Sequence, residues 1–173
     1  MTQTRRTFLA SAAATAGAIT ILPYAARAEA HSGDMFETDG GSITIHPIDH
    51  ASFVMETPAG TIYVDPVGDA GMYSDFPAPD LILVTHEHGD HFNAETLAAL
   101  RGEAHLITNP AVADMMSDMA PDEVMANGDS TEWNGVAIDA IPAYNTTEDR
   151  LNYHPEGRDN GYVLTIDGFR TYI

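Results

Sequence analysis

Three of the eight histidines in this 173-residue chain fall inside six residues, His86-Glu87-His88-Gly89-Asp90-His91. In an extended segment alternate side chains share a side, so His86 and His88 can present two imidazoles to one cation. Gly89 allows a sharp turn that carries Asp90 and His91 round toward the same hollow. There they face a second ion position, as in two-metal hydrolytic sites whose ions lie about 3.5–4 Å apart. Imidazoles and a carboxylate suit zinc, with manganese and iron as alternatives, and a chain without cysteine offers no thiolate. Glu87, between the two ligands, points to the opposite side and is not read as a general base. The competing reading is a group of exposed histidines with no role.

The elements that position this cluster favour chemistry. Leu81-Ile82-Leu83-Val84 is an unbroken apolar run, expected of a strand buried on both faces, and the histidines follow it at once. Functional loops of α/β sheets sit at such strand ends. Upstream, Ile43 to Pro47, Ala51 to Met55 and Thr61 to Val64 read as strands, with Pro58-Ala59-Gly60 as a hairpin turn. Asp65-Pro66 ends the last of these, and residues 67–79 read as a long loop. Asn93 is placed to cap a helix through Leu100, with Leu97 and Leu100 facing inward. A buried strand is expected over Ala104 to Thr108. Asn109-Pro110 then opens a helix to about Met119, with Met115, Met116 and Met119 read as core packing. Val136 to Ile141 and Tyr162 to Ile166 read as strands around a loop from Asn145 to Asn160. Phe169 to Ile173 begins another apolar strand, and the chain is expected to be truncated within it.

Composition bounds the class. One domain with a sizeable core fits this length. A hydrophobic content of 44% excludes a disordered chain. The formal charge is −19, with 26 acidic residues against seven arginines and no lysine. So negative a surface repels phosphate backbones, and nucleic acid is not an expected partner. Residues 1–30 carry paired Arg5-Arg6, then an uncharged alanine-rich stretch, then Ala26-Arg27-Ala28 as a small-x-small cleavage site. This resembles a twin-arginine export signal. The expected location is periplasmic or otherwise exported, with the twin-arginine export machinery as a partner and no stable membrane association after cleavage. Residues 31–41 read as a polar linker, and residues 42–173 as the domain.

Thr85-His86-Glu87-His88-Gly89-Asp90-His91 resembles the HxHxDH signature of the metallo-β-lactamase-fold hydrolases. Asp49-His50-Ala51-Ser52-Phe53, Asp65-Pro66, Asp80-Leu81-Ile82, Pro142-Ala143-Tyr144-Asn145 and His154-Pro155 with Gly161-Tyr162 resemble the ascorbate-6-phosphate lactonase-like branch. The resemblance runs from about Ile43 to Ile173. It implies an α/β (α+β) fold, the four-layer αββα sandwich, of which this chain would hold the N-terminal part. It also implies one or two divalent metal ions, with His86 and His88 on the first and Asp90 and His91 on the second. Asp65 matches an aspartate that supports the metal loop from behind; a turn-forming Asp-Pro is its other reading. The third histidine of the first site would normally fall near Tyr144-Asn145. In its place His154, in the loop, is the candidate, and the other downstream histidine, His105, lies in a buried strand. A bridging aspartate in a Gly-Asp-Thr motif and a last histidine belong to the family but not to this chain.

The expected function is metal-assisted hydrolysis of a small-molecule ester, lactone, amide or phosphodiester by a metal-bound hydroxide, with Asp90 as the catalytic residue. The alternatives are a non-catalytic exported metal-binding protein and an inactive fragment of such a hydrolase.

Overall fold

The computed structural model describes residues 33–117 and 119–173. The export segment expected over 1–30 lies outside the described residues. Two sheets carry the fold. The first has seven strands in chain order: β1 (Asp34–Thr38), β2 (Gly41–Asp49), β3 (Ser52–Thr57), β4 (Gly60–Val64), β5 (Leu81–Val84), β6 (His105–Thr108) and β7 (Glu123–Val124). The β1 to β4 pairings are antiparallel hairpins; β4 to β7 pair in parallel. The second sheet is antiparallel, in the order β11 (Phe169–Tyr172), β10 (Asp159–Ile166), β9 (Val136–Ala143), β8 (Ser130–Trp133).

Alternation along the strands sets the layers. In β4 and β5, Ile62, Val64, Leu81 and Leu83 turn to one face, where they meet Ile138, Ala140, Tyr162 and Leu164 of the second sheet. Tyr63, Ile82 and Val84 turn to the other face. There they meet Leu97 of α1 (Ala94–Arg101) and Val112 of α2 (Pro110–Met115). A strand with apolar residues at every position therefore sits between two cores, as its unbroken run requires. The result is helix on sheet on sheet, three layers of the expected αββα stack. Among the described residues no helix covers the outer face of the second sheet.

Both helices start where their caps direct. Asn93 Oδ1 accepts from the backbone N–H of Glu95 and Thr96, and Asn109 Oδ1 from that of Val112, with Pro110 in the first turn.

Four expectations need correction. The linker read over 31–41 contains β1, whose pairing with β2 from Asp34 to Thr38 moves the start of the domain upstream of residue 42. Its polar residues suit an exposed edge strand. The helix from Asn109 ends at Met115, and Met115 is exposed, while Met116 and Met119 do pack against the helix-side core. The loop read as ending at Asn160 ends two residues earlier, because Asp159 and Asn160 pair with Ala143 and Pro142. Gly89 lies in a turn, but not at a left-handed φ, and a Cβ there would meet nothing within 4 Å. The turn therefore does not require glycine.

The parallel pairing of β4, β5 and β6 brings their C-terminal ends, at Val64, Val84 and Thr108, to one edge of the sheet. Leu83, at the centre of β5 and fully buried, ties the two sheets together at this edge. Leu83→Ala should lower unfolding stability by about 2–5 kcal/mol in denaturant titration, the cost of a core cavity of that size.

Candidate metal centre

The residues just beyond those strand ends form the site. Asp65, after β4, has a left-handed φ of 43° and a buried carboxylate. Its Oδ1 accepts from the backbone N–H of Thr85 at 2.7 Å. Its Oδ2 accepts from Thr85 Oγ1 and from His91 Nδ1, each at 2.7 Å. One carboxylate thus binds both ends of the histidine turn, and backbone strain of this kind persists only where surrounding contacts over-determine it.

The hydrogen bonds also fix the imidazole tautomers. Thr85 gives its only hydroxyl proton to Asp65, so toward His86 Nδ1, 3.0 Å away, it accepts. His91 Nδ1 donates to Asp65, and His154 Nδ1 donates to Asp159 Oδ2 at 2.8 Å. In all three rings Nδ1 carries the proton, leaving the Nε2 lone pair for a cation. Metal-binding histidines are oriented in this way by their second nitrogen.

Two groups of candidate ligands result. His86, His88 and His154 offer one ligand atom each within 4.8 Å of one another, and so do His50, Asp90 and His91. In the first group the ring centroids lie 4.7–5.0 Å apart. His86 and His91, one from each group, are 3.9 Å apart by centroid. A cleft of about 460 Å³ opens over His86, His91 and His154, with Asp65 and Asp159 also in its wall. Three imidazoles make a borderline donor set of the kind that holds zinc with an open fourth position; a carboxylate with two imidazoles suits a second divalent ion.

Electrostatics treat these ligand candidates differently. Burial, reinforced by His91, pushes the pKa of His86 down to about 4, so its ring is neutral at physiological pH. For His91 burial opposes protonation, but the hydrogen bond it donates to Asp65, together with that residue's negative charge, outweighs it and the pKa rises. The small desolvation of Asp90 is overcome by its backbone hydrogen bond and by His91 and His50, which hold its carboxyl below the usual range.

Every residue expected at the site is brought to it. His86, His88 and His154 converge, Asp90 and His91 stand together, and Asp65 anchors them from beneath. His105 is elsewhere, partly exposed beside Asp122 and Glu123. Asn145, where a ligand histidine would ordinarily be sought, instead donates its backbone N–H to the carbonyl of His154 at 3.0 Å. It thereby pins the segment that supplies the third imidazole.

Sequence reasoning missed His50, whose Nε2 lies 3.1 Å from Asp90 Oδ2. It sits at the β2–β3 turn with a φ of 45°, and only its place in Asp49-His50-Ala51 hinted at a role. Asp159, Arg158 and Asn109 were missed as well. A buried aspartate opening a strand leaves no periodic trace, and Asn109 was read only as a cap.

Comparison with known proteins agrees with this geometry. Residues 44–172 match the family described as the beta-lactamase superfamily domain. A UPF0173 metal-dependent hydrolase of Thermococcus kodakarensis is 35% identical over 95 residues, which is 54% of this chain and 42% of that protein. A relative of the same description from Pyrococcus horikoshii is 34% identical over 101 residues. The chain thus spans less than half the length of these curated relatives. A crystal structure from Parabacteroides distasonis, assigned to the metal-dependent hydrolases, superposes with a TM-score of 0.73 at 41% identity. That match covers 82% of this chain and 64% of the other. A metallo hydrolase from Ignicoccus hospitalis, at 20% identity and a TM-score of 0.58, shares the fold.

The depressed pKa of His86 has a measurable consequence in chelator-treated protein. Unfolded, His86 titrates near 6.5; folded, near 4. Between these values the unfolded state binds more protons, so stability falls as the pH falls. His91, raised above 6.5, contributes a constant amount in this window, and Asp90 and Asp159, lowered from 3.8, titrate beneath it. The metal-free chain should lose roughly 3 kcal/mol between pH 6.5 and 4. Denaturant titrations at stepped pH should show this slope in the wild type and its loss in His86→Asn.

Proposed function

Because the chain belongs to the beta-lactamase superfamily domain family, we propose that it forms the metal-binding part of a metal-dependent hydrolase. The observation that carries this reading is the shared anchoring of His86, His91 and His154, each held through Nδ1 with Nε2 left to a cation. His86, His88 and His154 would hold one divalent ion; Asp90 and His91, with His50, would hold a second. Zinc fits these donors, with manganese and iron as alternatives. When bound, such an ion polarises a carbonyl or phosphoryl oxygen and lowers the pKa of a ligated water from about 15.7 toward 7.

The protein's own groups supply the rest. Asp90, ionised at neutral pH and exposed beside His50, orients a water by accepting its hydrogen bond and takes up its proton. Asp65 and Thr85 keep the histidine turn in place, which holds the reacting groups in one geometry. The cleft admits a small molecule, and an ester, lactone, amide or phosphodiester bond suits the chemistry. The paired arginines near the N-terminus support an exported, periplasmic protein carried by the twin-arginine machinery.

Equilibrium titration of the chelator-stripped full chain with zinc, beside ester, lactone and phosphodiester assays, tests this. Stoichiometric binding and chelator-sensitive turnover are expected. His86→Ala and His88→Ala should lose both. Asp90→Asn should lose about 10²–10⁴-fold in turnover while the first ion still binds. Hydrolysis unchanged in stripped protein would remove the reading, and tight binding without turnover on any substrate would favour a metal carrier.

A further inference from the structure

The three imidazoles of the first group come from two segments that the chain keeps far apart. His86 and His88 follow β5, whereas His154 lies in the loop between β9 and β10. Something must hold that loop against the histidine turn, and Arg158 is placed to do so. Its Nε and Nη2 reach the two carboxylate oxygens of Asp159 at 2.7 and 3.1 Å. Its Nη1 lies 3.0 Å from Glu87 Oε1, and Nη2 also donates to the carbonyl of Tyr153 at 2.7 Å. The fork therefore ties together the residue between His86 and His88, the residue before His154, and the aspartate that orients His154. This use of several donors at fixed angles is specific to guanidinium.

The backbones are joined as well. Asn109 Nδ2 donates to the carbonyls of both Thr85 and Arg158 at 3.1 Å, and Asn160 donates its backbone N–H to the carbonyl of Thr85. Asp159 is 1% exposed, and Glu87 Oε2 is buried with no hydrogen-bond partner. Glu87 is thus a largely desolvated carboxylate whose compensating cation is Arg158. Burying such a charge for surface solubility would make no sense, and its position between two ligands gives it a purpose.

We propose that Glu87, Arg158 and Asp159 form a clamp that holds His154 in its Nδ1–H tautomer against His86 and His88, so that the three rings meet a cation already assembled. These are positioning residues. The inference rests on the three-imidazole reading for its effect on a cation, but the tautomer and the docking of the loop belong to the metal-free protein. Partners of this kind typically change metal affinity by about 10–100-fold when removed.

The test uses the full chain, stripped of metal and labelled with ¹⁵N. Two-bond ¹H–¹⁵N correlations of His154 should show the Nδ1–H form in the wild type. Asp159→Asn and Arg158→Met should give a mixture of tautomers with faster amide exchange over residues 145–158. Zinc titration of the same variants should show binding weaker by about 10–100-fold, with Glu87→Gln nearer the lower end. Arg158→Lys, which keeps the charge but not the fork, should recover part of the affinity. Variants that melt at lower temperature yet keep the His154 tautomer and the wild-type affinity would overturn the clamp. If the wild type binds no zinc, the three-imidazole reading fails, and the tautomer and exchange measurements still decide whether the clamp exists.

Discussion

The site depends on one buried carboxylate. Asp65 accepts from groups 20 and 26 residues further along the chain, at Thr85 and His91, and through Thr85 it sets the proton position on His86. Such a group is costly to bury unless its lone pairs are filled, and here they are filled by the loop it must organise. The parallel pairing of β4 with β5 makes this possible, because it delivers Asp65 and Thr85 to the same sheet edge. The left-handed backbone at Asp65 aims the carboxylate back across that edge. Fold and site are therefore joined by a short list of hydrogen bonds.

Electrostatics set His86 and His91 apart. His86 is kept neutral by burial, and His91 is made more basic by its aspartate. The contrast arises within a few ångströms because one ring faces a hydroxyl and the other a carboxylate. Asp159 accepts a hydrogen bond from His154 Nδ1 as Asp65 accepts one from His91 Nδ1, and Arg158 donates to Asp159 in turn. Two aspartates, one just beyond β4 and one opening β10, thus anchor one imidazole each.

Much of this was legible in the sequence, and for physical reasons. The unbroken apolar run of β5 could only be a strand between two cores, and the histidine spacing after it named its own chemistry. Caps at Asn93 and Asn109 were readable because a side chain and its helix are local. Long-range partners were not. Nothing in the spacing of Asp159 or Arg158 reveals that they meet Glu87, and His50 reaches Asp90 only through the β2–β3 turn. The edge strand β1 escaped because its residues, Met35 and Phe36 included, are mostly exposed, so pairing with β2 and not burial defines it. The third imidazole came from beyond Asn145, since the loop folds back on itself through the Asn145–His154 hydrogen bond.

The first ligand group draws His86 and His88 from one sheet and His154 from a loop closing between two strands of the other. An ion seated there would be bonded to segments that leave both sheets of the sandwich. It would then cross-link about seventy residues of chain, comparable in its effect on the unfolded ensemble to a disulfide closing a loop of that length. In a chain without cysteine such an ion would supply the loop closure that a disulfide supplies elsewhere, and occupancy and stability would rise and fall together.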